Sequence, residues 1–248
     1  MRDYAKETEA RVAFIRERVQ EAHADGIIYA NSGGKDCTLV GILCKMACEN
    51  TVGVTLPCQS QRNYGSDTED AFLAAQQHDI HTYTVDLSPV KAALMEELGK
   101  VMEVSGMASA NINPRLRMLT VYALGQQMNC LVAGTGNRSE RYMGYFTKWG
   151  DGACDFNPIA DLTVKEIYEY LEYLKAPESI IKKAPSAGLY EGQTDEDQMG
   201  VTYRAIDELL LEGETDEASL AVIERAHRVT AHKRRSIPLY ADPDGDKG

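Results

Sequence analysis

The sequence contains no apolar run that approaches the roughly 20 residues needed to cross a bilayer. It also lacks a basic, apolar leader segment, so we expect a cytoplasmic protein without a membrane partner. Basic residues are few, because 26 lysines and arginines face 38 aspartates and glutamates, for a net charge of −12. A nucleic-acid binder needs a basic face to neutralise phosphates, so this balance argues against a nucleic-acid partner.

The six cysteines lack the spacing of a metal site. They lie at positions 37, 44, 48, 58, 130 and 154, and no two of them form a Cys-x-x-Cys pair. We therefore expect reduced thiols, most of them packed in the core as small apolar groups. The 248 residues, 44% of them hydrophobic, suffice for one large domain or two small ones.

Short apolar runs alternate with helical patterns over the first 160 residues. The predicted strands are 26–30, 51–56, 80–87 and 130–133. The predicted helices are 3–24, 36–47, 67–78, 89–104 and 113–128, the last with Pro114 in its first turn. Such alternation predicts an α/β fold in which helices flank an open parallel sheet on both faces. The later pattern is helical, over 163–174, 177–182, 195–211 and 215–232, and we expect a disordered tail at 241–248.

The loop after the first predicted strand has the features of a phosphate site. Ser32, Gly33 and Gly34 stand between that strand and the next helix, where open parallel sheets bind their ligands. Two glycines let the backbone approach an anion closely, and the N–H groups of the helix start attract it. Asp36 is suited to hold the Mg²⁺ that accompanies nucleotide phosphates. Together these features favour nucleotide binding over an ordinary turn.

This loop resembles the SGGxDS signature of the ATP pyrophosphatase superfamily, whose members cleave ATP between the α- and β-phosphates and adenylate a substrate. The block Gly-Tyr-Phe-Thr-Lys-Trp-Gly-Asp-Gly at 144–152 is more specific, since it is similar to a block of NAD synthetases almost residue for residue. Five further segments resemble blocks of that family in the same order, at 111–118, 134–140, 185–189, 193–196 and 232–234. The resemblance therefore covers nearly the whole chain.

The resemblance implies a single domain of the adenine nucleotide alpha hydrolase type with a helical C-terminal part. The implied reaction is amidation of deamido-NAD by ammonia, with ATP as cosubstrate, Mg²⁺ as cofactor and AMP and pyrophosphate as products of an adenylated intermediate. Glutamine-using relatives carry an additional amidase domain, for which 248 residues leave no room, so we expect free ammonia or a separate supplier. The family also implies a homodimer.

The resemblance further implies the residues of the site. ATP contacts fall on Ala30, Asn31, Ser32, Gly33, Gly34, Lys35, Asp36, Cys37, Thr135 and Ser186, and Mg²⁺ ligands on Asp36 and Glu140. Deamido-NAD contacts fall on Arg115, Lys148, Asp155, His232 and Lys233, and the catalytic residues are Asp151 and Lys148. Asp151 matches an acidic residue that receives ammonia, and a carboxylate suits this role because ammonium must lose a proton before its nitrogen attacks.

Two positions depart from the family pattern. Cys37 replaces a serine, and a thiol is the weaker hydrogen-bond partner. Val164 stands where the family places an ATP-binding lysine, and the adjacent Lys165 is turned by about 100° along a helix. These departures are the only motives for one of the two alternatives that stay open, a nucleotide-binding homologue without catalysis. The other alternative is another adenylating enzyme, such as a sulfur-inserting enzyme using Cys130 or Cys154.

Overall fold

The computed structural model describes residues 2–58, 66–182, 195–238 and 240. Within these residues one parallel sheet has the strand order β3–β2–β1–β4. The strands are β1 (Gly26–Ala30), β2 (Thr51–Thr55), β3 (His81–Thr84) and β4 (Cys130–Val132). Because β1 pairs with both β2 and β4, the strand order reverses beside β1, which is where sheets of this kind form a ligand crevice.

Helices follow the strands in alternation and then continue alone. They are α1 (Tyr4–Glu21), α2 (Lys35–Ala47), α3 (Ser66–Gln77), α4 (Ser88–Gly99), α5 (Gly106–Gln127), α6 (Arg138–Met143), α7 (Val164–Tyr173), α8 (Glu178–Ile181), α9 (Asp195–Met199), α10 (Tyr203–Glu212) and α11 (Glu217–Val229), followed by a 3₁₀ turn (Ala231–Lys233). In the part of the chain that is described, no helix has the length and apolar character of a membrane span.

Apolar side chains of β1 alternate between two cores, which confirms the predicted sheet with helices on both faces. Ile27 and Tyr29 pack in a cluster with α1, α2 and α7, whereas Ile28 packs on the other face with Leu116 and Val121 of α5. Successive side chains of a strand point to opposite faces, so a wholly buried strand carries an uninterrupted apolar run. A third cluster joins α6, α7, α10 and α11 around Ile206.

Several predicted boundaries are wrong. The helix predicted over 113–128 begins at Gly106, because Ser105 caps it by accepting a hydrogen bond from the Ala108 N–H. Pro114 consequently lies inside α5 and not in its first turn. The helix predicted over 195–211 is interrupted at Gly200, which has a φ of +70°, before Thr202 caps α10. The strand predicted over 80–87 and the helix predicted over 89–104 are both shorter than expected. The predicted tail at 241–248 lies outside the described residues.

Gly41 of α2 lies where the helix crosses the ring of Tyr29. A Cβ at this position would stand 2.8 Å from Tyr29 Cζ, and the tyrosine is almost fully buried. We expect Gly41→Ala to lower the free energy of unfolding by about 1–3 kcal/mol through overpacking. Gly99→Ala, at a helical position with open space around it, is the matched control and should leave stability unchanged or raise it by up to about 1 kcal/mol. Urea denaturation measures both, and equal effects of the two changes would contradict the packing described.

Candidate functional site

The loop between β1 and α2 has the shape of an anion cradle. Gly33 adopts a left-handed φ of +72°, and its N–H donates to Asn31 Oδ1 over 3.1 Å. Asn31 also anchors the loop, because its Nδ2 donates to the carbonyl oxygen of Ala71 in the interior. Gly34 is the N-cap residue of α2 and provides no side-chain cap, so the N–H groups of the first helical turn have no partner within the helix. Such a helix start favours a phosphate.

Cys37 makes a contact that the sequence could not indicate. Its Sγ lies 3.1 Å from Ser32 Oγ, and the thiol is buried beneath the loop. Burial raises the pKa of Cys37, so the thiol stays protonated. Although cysteine replaces the serine of the family pattern at position 37, its sulfur still contacts the Ser32 hydroxyl across the loop.

Asn137 connects the loop to the segment after β4. Its Nδ2 donates to Asp36 Oδ1 over 3.1 Å. The same residue caps α6 in a reciprocal capping box, in which its Oδ1 accepts from the Glu140 N–H and its own N–H donates to Glu140 Oε2. Asn137 is completely buried, so one fixed residue holds both carboxylates, Asp36 through its side-chain amide and Glu140 through its backbone N–H.

The two carboxylates form a site of concentrated negative charge. Burial, and then the neighbouring Asp36 carboxylate, raise the pKa of Glu140 well above its usual range, and the Lys35 ammonium offsets this only in part. Mg²⁺ is commonly held by one or two carboxylates, with phosphates and water completing its shell. Among the described residues no cluster of three or more metal-ligating side chains occurs. The Asp36–Glu140 pair thus fits Mg²⁺ carried with a nucleotide.

Lys35 points inward, although it belongs to the loop. Its Nζ lies 2.7 Å from Asp36 Oδ2 and 5.7 Å from the ring centroid of Tyr203. Burial acts to lower the pKa of Lys35, but the carboxylates of Asp36 and Glu140 outweigh it and raise the pKa. The side chain is therefore an ammonium ion placed on the carboxylate pair.

A pocket of about 220 Å³ opens beside Glu140. It is lined by Gly136, Glu140, Arg141, Phe146, Lys148, Trp149, Asp151, Gly152, Cys154, Asn157, Lys233, Arg234, Arg235 and Ser236. Arginine and lysine side chains outnumber carboxylates in this lining, although the protein as a whole carries a net charge of −12. The pocket therefore suits an anionic ligand.

Asp151 and Lys233 are fixed within this pocket by backbone contacts. Asp151 Oδ1 accepts from the Thr147 N–H over 2.9 Å, and burial raises the pKa of this carboxyl. Lys233 Nζ donates to the carbonyl oxygens of Gly144 and Phe146, at 2.8 and 2.6 Å. Burial lowers the pKa of Lys233, and the Asp151 charge opposes that effect.

The remaining predicted residues lie near the pocket or apart from it. Arg115 donates to the carbonyl oxygen of Lys148 over 3.4 Å, and Lys148 Nζ donates to that of His232 over 3.2 Å. Asp155 faces another way, since its oxygens accept from the Val132 N–H and the Tyr122 hydroxyl. Thr135 is half-buried in the segment after β4, and Ser186 lies outside the described residues. The assigned roles of all these residues stay predictions.

The structure also accounts for the second departure from the family pattern. Val164 is buried in the third cluster, against α10, so position 164 offers no cation. Lys165 is exposed, while its backbone N–H donates to Asp207 Oδ2.

Sequence reasoning missed Asn137, Arg141, Arg234 and Arg235. For Asn137 a signal existed, because Asn-x-x-Glu at a helix start is a capping pattern.

Asn137→Ala should destabilise the protein by about 1–2 kcal/mol, because it removes the side-chain cap of α6 and the donor to Asp36 Oδ1. Asn137→Ser is the matched variant, since serine restores a cap but not the hydrogen bond to Asp36, and we expect it to recover about half of that loss. Urea denaturation with a metal chelator present measures both. Wild-type stability for Asn137→Ala would contradict the network.

Comparison with known proteins places the chain in a family. The NAD synthase family model matches residues 7–237. The chain is 44% identical to the NH(3)-dependent NAD(+) synthetase of Carboxydothermus hydrogenoformans, over 96% of this chain and 98% of that protein. Its structure is similar to that of an NMN synthetase from Francisella tularensis, with a TM-score of 0.90 and 34% identity over 96% and 99% of the two chains. It is also similar to an NH3-dependent NAD synthetase from Campylobacter jejuni in complex with the nitrate ion, with a TM-score of 0.79 and 30% identity over 97% and 100%. The chain belongs to the NAD synthase family.

Proposed function

We propose that the protein amidates deamido-NAD with ammonia, using ATP and Mg²⁺ and releasing AMP and pyrophosphate. The observation that carries this proposal is the Asp36–Glu140 pair, held by Asn137 between the start of α2 and a cationic pocket. The loop before α2 suits the phosphates of ATP, and the pocket lined by lysines and arginines suits an anionic acceptor. The names of the relatives support the choice of ammonia and of a nicotinate acceptor.

The ATP side of the reaction depends on charge neutralisation. The loop N–H groups of α2 bind the phosphates, and Asp36 and Glu140 hold Mg²⁺, which when bound stabilises negative charge on the departing pyrophosphate. The acceptor carboxylate oxygen attacks the α-phosphorus, and the bond between the α-phosphorus and the bridging oxygen breaks. Positioning and electrostatics account for most of such a rate enhancement.

The acceptor side depends on the pocket. Lys148 and Lys233 orient the anionic acceptor, and the ring of Phe146 beneath Lys233 offers a face for the nicotinate ring. Asp151 takes a proton from ammonium, and burial helps because a raised pKa makes the carboxylate a better base near neutral pH. The ammonia nitrogen then attacks the acyl carbon, and AMP leaves with one of the original carboxylate oxygens.

A second candidate acceptor is nicotinate mononucleotide, whose amidation yields NMN. The observation that favours it is the TM-score of 0.90 to the NMN synthetase, against 0.79 to the NAD synthetase from Campylobacter jejuni. A mononucleotide carries a terminal phosphate, and the exposed Arg141 and Arg235 on the pocket lining suit such a group.

The alternative of a cysteine-based sulfur donor has little support from the geometry. Burial raises the pKa of both Cys130 and Cys154, which keeps the thiols protonated and therefore poorly nucleophilic. Cys154 Sγ packs tightly over Gly134, where a Cβ would collide with it.

Incubation with ATP, Mg²⁺, ammonium and each acceptor in turn tests the activity. We expect stoichiometric AMP and amide, with the ratio of kcat/KM values deciding between deamido-NAD and nicotinate mononucleotide. Asp36→Asn should lower kcat/KM by on the order of 100-fold or more, because it weakens the metal site. Asp79→Asn, at an exposed left-handed position that asparagine tolerates, is the control and should retain wild-type turnover. AMP without amide would favour another adenylating enzyme, and no AMP would refute the proposal.

We also propose that the protein acts as a homodimer in the cytoplasm, where a reducing environment suits its six free thiols. Support for the dimer comes from exposed apolar side chains on α4, α5 and their connection, namely Val90, Leu94, Val101, Met102, Met107 and Leu119. Leu119 follows Arg115 by one helical turn, so this surface adjoins a predicted acceptor contact.

The paired change Met107→Glu and Leu119→Glu should convert the dimer to a monomer, because it places charges in an apolar contact. Phe72→Glu, which alters an exposed aromatic ring on α3, is the control and should leave the dimer intact. Sedimentation velocity distinguishes the species. A wild-type monomer, or a dimer that tolerates the paired change, would contradict this interface.

A further inference from the structure

The Lys35 side chain is an unusual feature of the loop. Lysines are rarely buried unless they are paired, yet only 7% of this one is exposed. Its partner is the predicted metal ligand itself, since Nζ and Asp36 Oδ2 are 2.7 Å apart. The ring of Tyr203 covers the ammonium from the other side.

Both oxygens of Asp36 are therefore engaged. Oδ1 accepts from Asn137, and Oδ2 accepts from Lys35. Asn137 cannot withdraw without breaking the capping box of α6, in which it makes two further hydrogen bonds. Lys35, in contrast, holds its charge on a flexible four-carbon stem. A cation that approaches Asp36 Oδ2 therefore competes with the lysine for that oxygen.

The Lys35 ammonium offsets the negative charge of the Asp36 and Glu140 carboxylates. Two carboxylates brought together out of water repel each other unless a cation lies between or beside them. Lys35 supplies one positive charge next to Asp36, and Glu140 lies within its electrostatic reach. Lys35 is the first residue of α2, so its ammonium, once released, remains within a side chain's length of the helix start that is predicted to bind phosphates.

We propose that the Lys35 ammonium is an internal counter-cation of the Asp36–Glu140 pair, which a divalent cation displaces from Asp36 Oδ2 when nucleotide binds. The inference rests on the proposed function, since it takes these carboxylates as the metal ligands. It predicts that metal binds weakly to the free protein, because the ammonium competes for the same oxygen. Nucleotide relieves the competition, since its phosphates give the displaced ammonium a new partner.

Binding of Mn²⁺, followed by electron paramagnetic resonance without nucleotide, tests the inference. We expect Lys35→Met to bind Mn²⁺ about tenfold more tightly than wild type, since the competing charge is gone while the chain length is kept. Lys35→Arg keeps a cation and should bind Mn²⁺ as weakly as wild type. Lys91→Met removes a lysine that is equally buried, on α4, and serves as the matched control with unchanged Mn²⁺ affinity. Unchanged or weaker Mn²⁺ binding by Lys35→Met would overturn the inference.

Thermal unfolding gives a second readout that does not depend on turnover. In the presence of a chelator, Lys35→Met should unfold at a lower temperature than wild type, because the carboxylate pair has lost its counter-cation. Added Mn²⁺ should remove this difference in unfolding temperature. If Lys35→Met fails to fold without metal, recovery of folded protein in Mn²⁺ supports displacement, and failure in both conditions overturns it.

The failure of the inference is distinguishable from the failure of the metal role. Mn²⁺ binding to wild type with a non-hydrolysable ATP analogue, lost in Asp36→Asn, would uphold the proposed metal site even where Lys35→Met binds no more tightly. Absence of Mn²⁺ binding in wild type under that condition would overturn both.

Discussion

The site depends on the buried amide of Asn137. One side chain caps α6 and donates to Asp36, so it fixes the start of α6 relative to the loop that follows β1. These segments are about a hundred residues apart in sequence and meet because β4 pairs directly with β1. The hydrogen bonds of Asn137 turn this adjacency of strands into a defined distance between two carboxylates.

The reversal of strand order beside β1 makes that meeting possible. The loops that leave the carboxyl ends of β1 and β4 start from adjacent strands at the same edge of the sheet, which is the place where open parallel sheets form a ligand crevice. The chain then returns after α11, so that Lys233 reaches back to the carbonyl oxygens of Gly144 and Phe146. Positive charge is thereby concentrated in one pocket of a protein whose overall charge is strongly negative, which favours anions there and repels them elsewhere.

The sequence predicted the features that depend on local pattern. Buried strands, the Gly-Gly loop and the alternation of strands with helices follow from residue types and spacing, and the structure confirms the fold. Boundaries were less predictable, as α5 shows. A proline usually marks the first turn of a helix, but the Ser105 cap begins this helix earlier and the tertiary packing of α5 tolerates Pro114 inside it.

The site was predictable in part. The sequence motifs predicted Glu140, Lys148, Asp151 and Lys233 as site residues, and all four line the same pocket. The direction of the Lys35 side chain could not be foreseen, because a lysine in a glycine-rich loop is expected to face the phosphate. Its actual course depends on the carboxylate of Asp36 and on the ring of Tyr203, from a helix far along the chain. The contact between Lys35 and Tyr203 depends on how distant segments pack, and no spacing of residues in the sequence indicates it.

The central claim is that the acceptor carboxylate attacks the α-phosphorus of ATP in this site. Transfer of ¹⁸O tests it most directly, with the acceptor labelled in both carboxylate oxygens and the products analysed by mass spectrometry after a single turnover. The account predicts one ¹⁸O in the phosphate of AMP, one in the amide product and none in pyrophosphate. Unlabelled AMP, or ¹⁸O in pyrophosphate or inorganic phosphate, would contradict it.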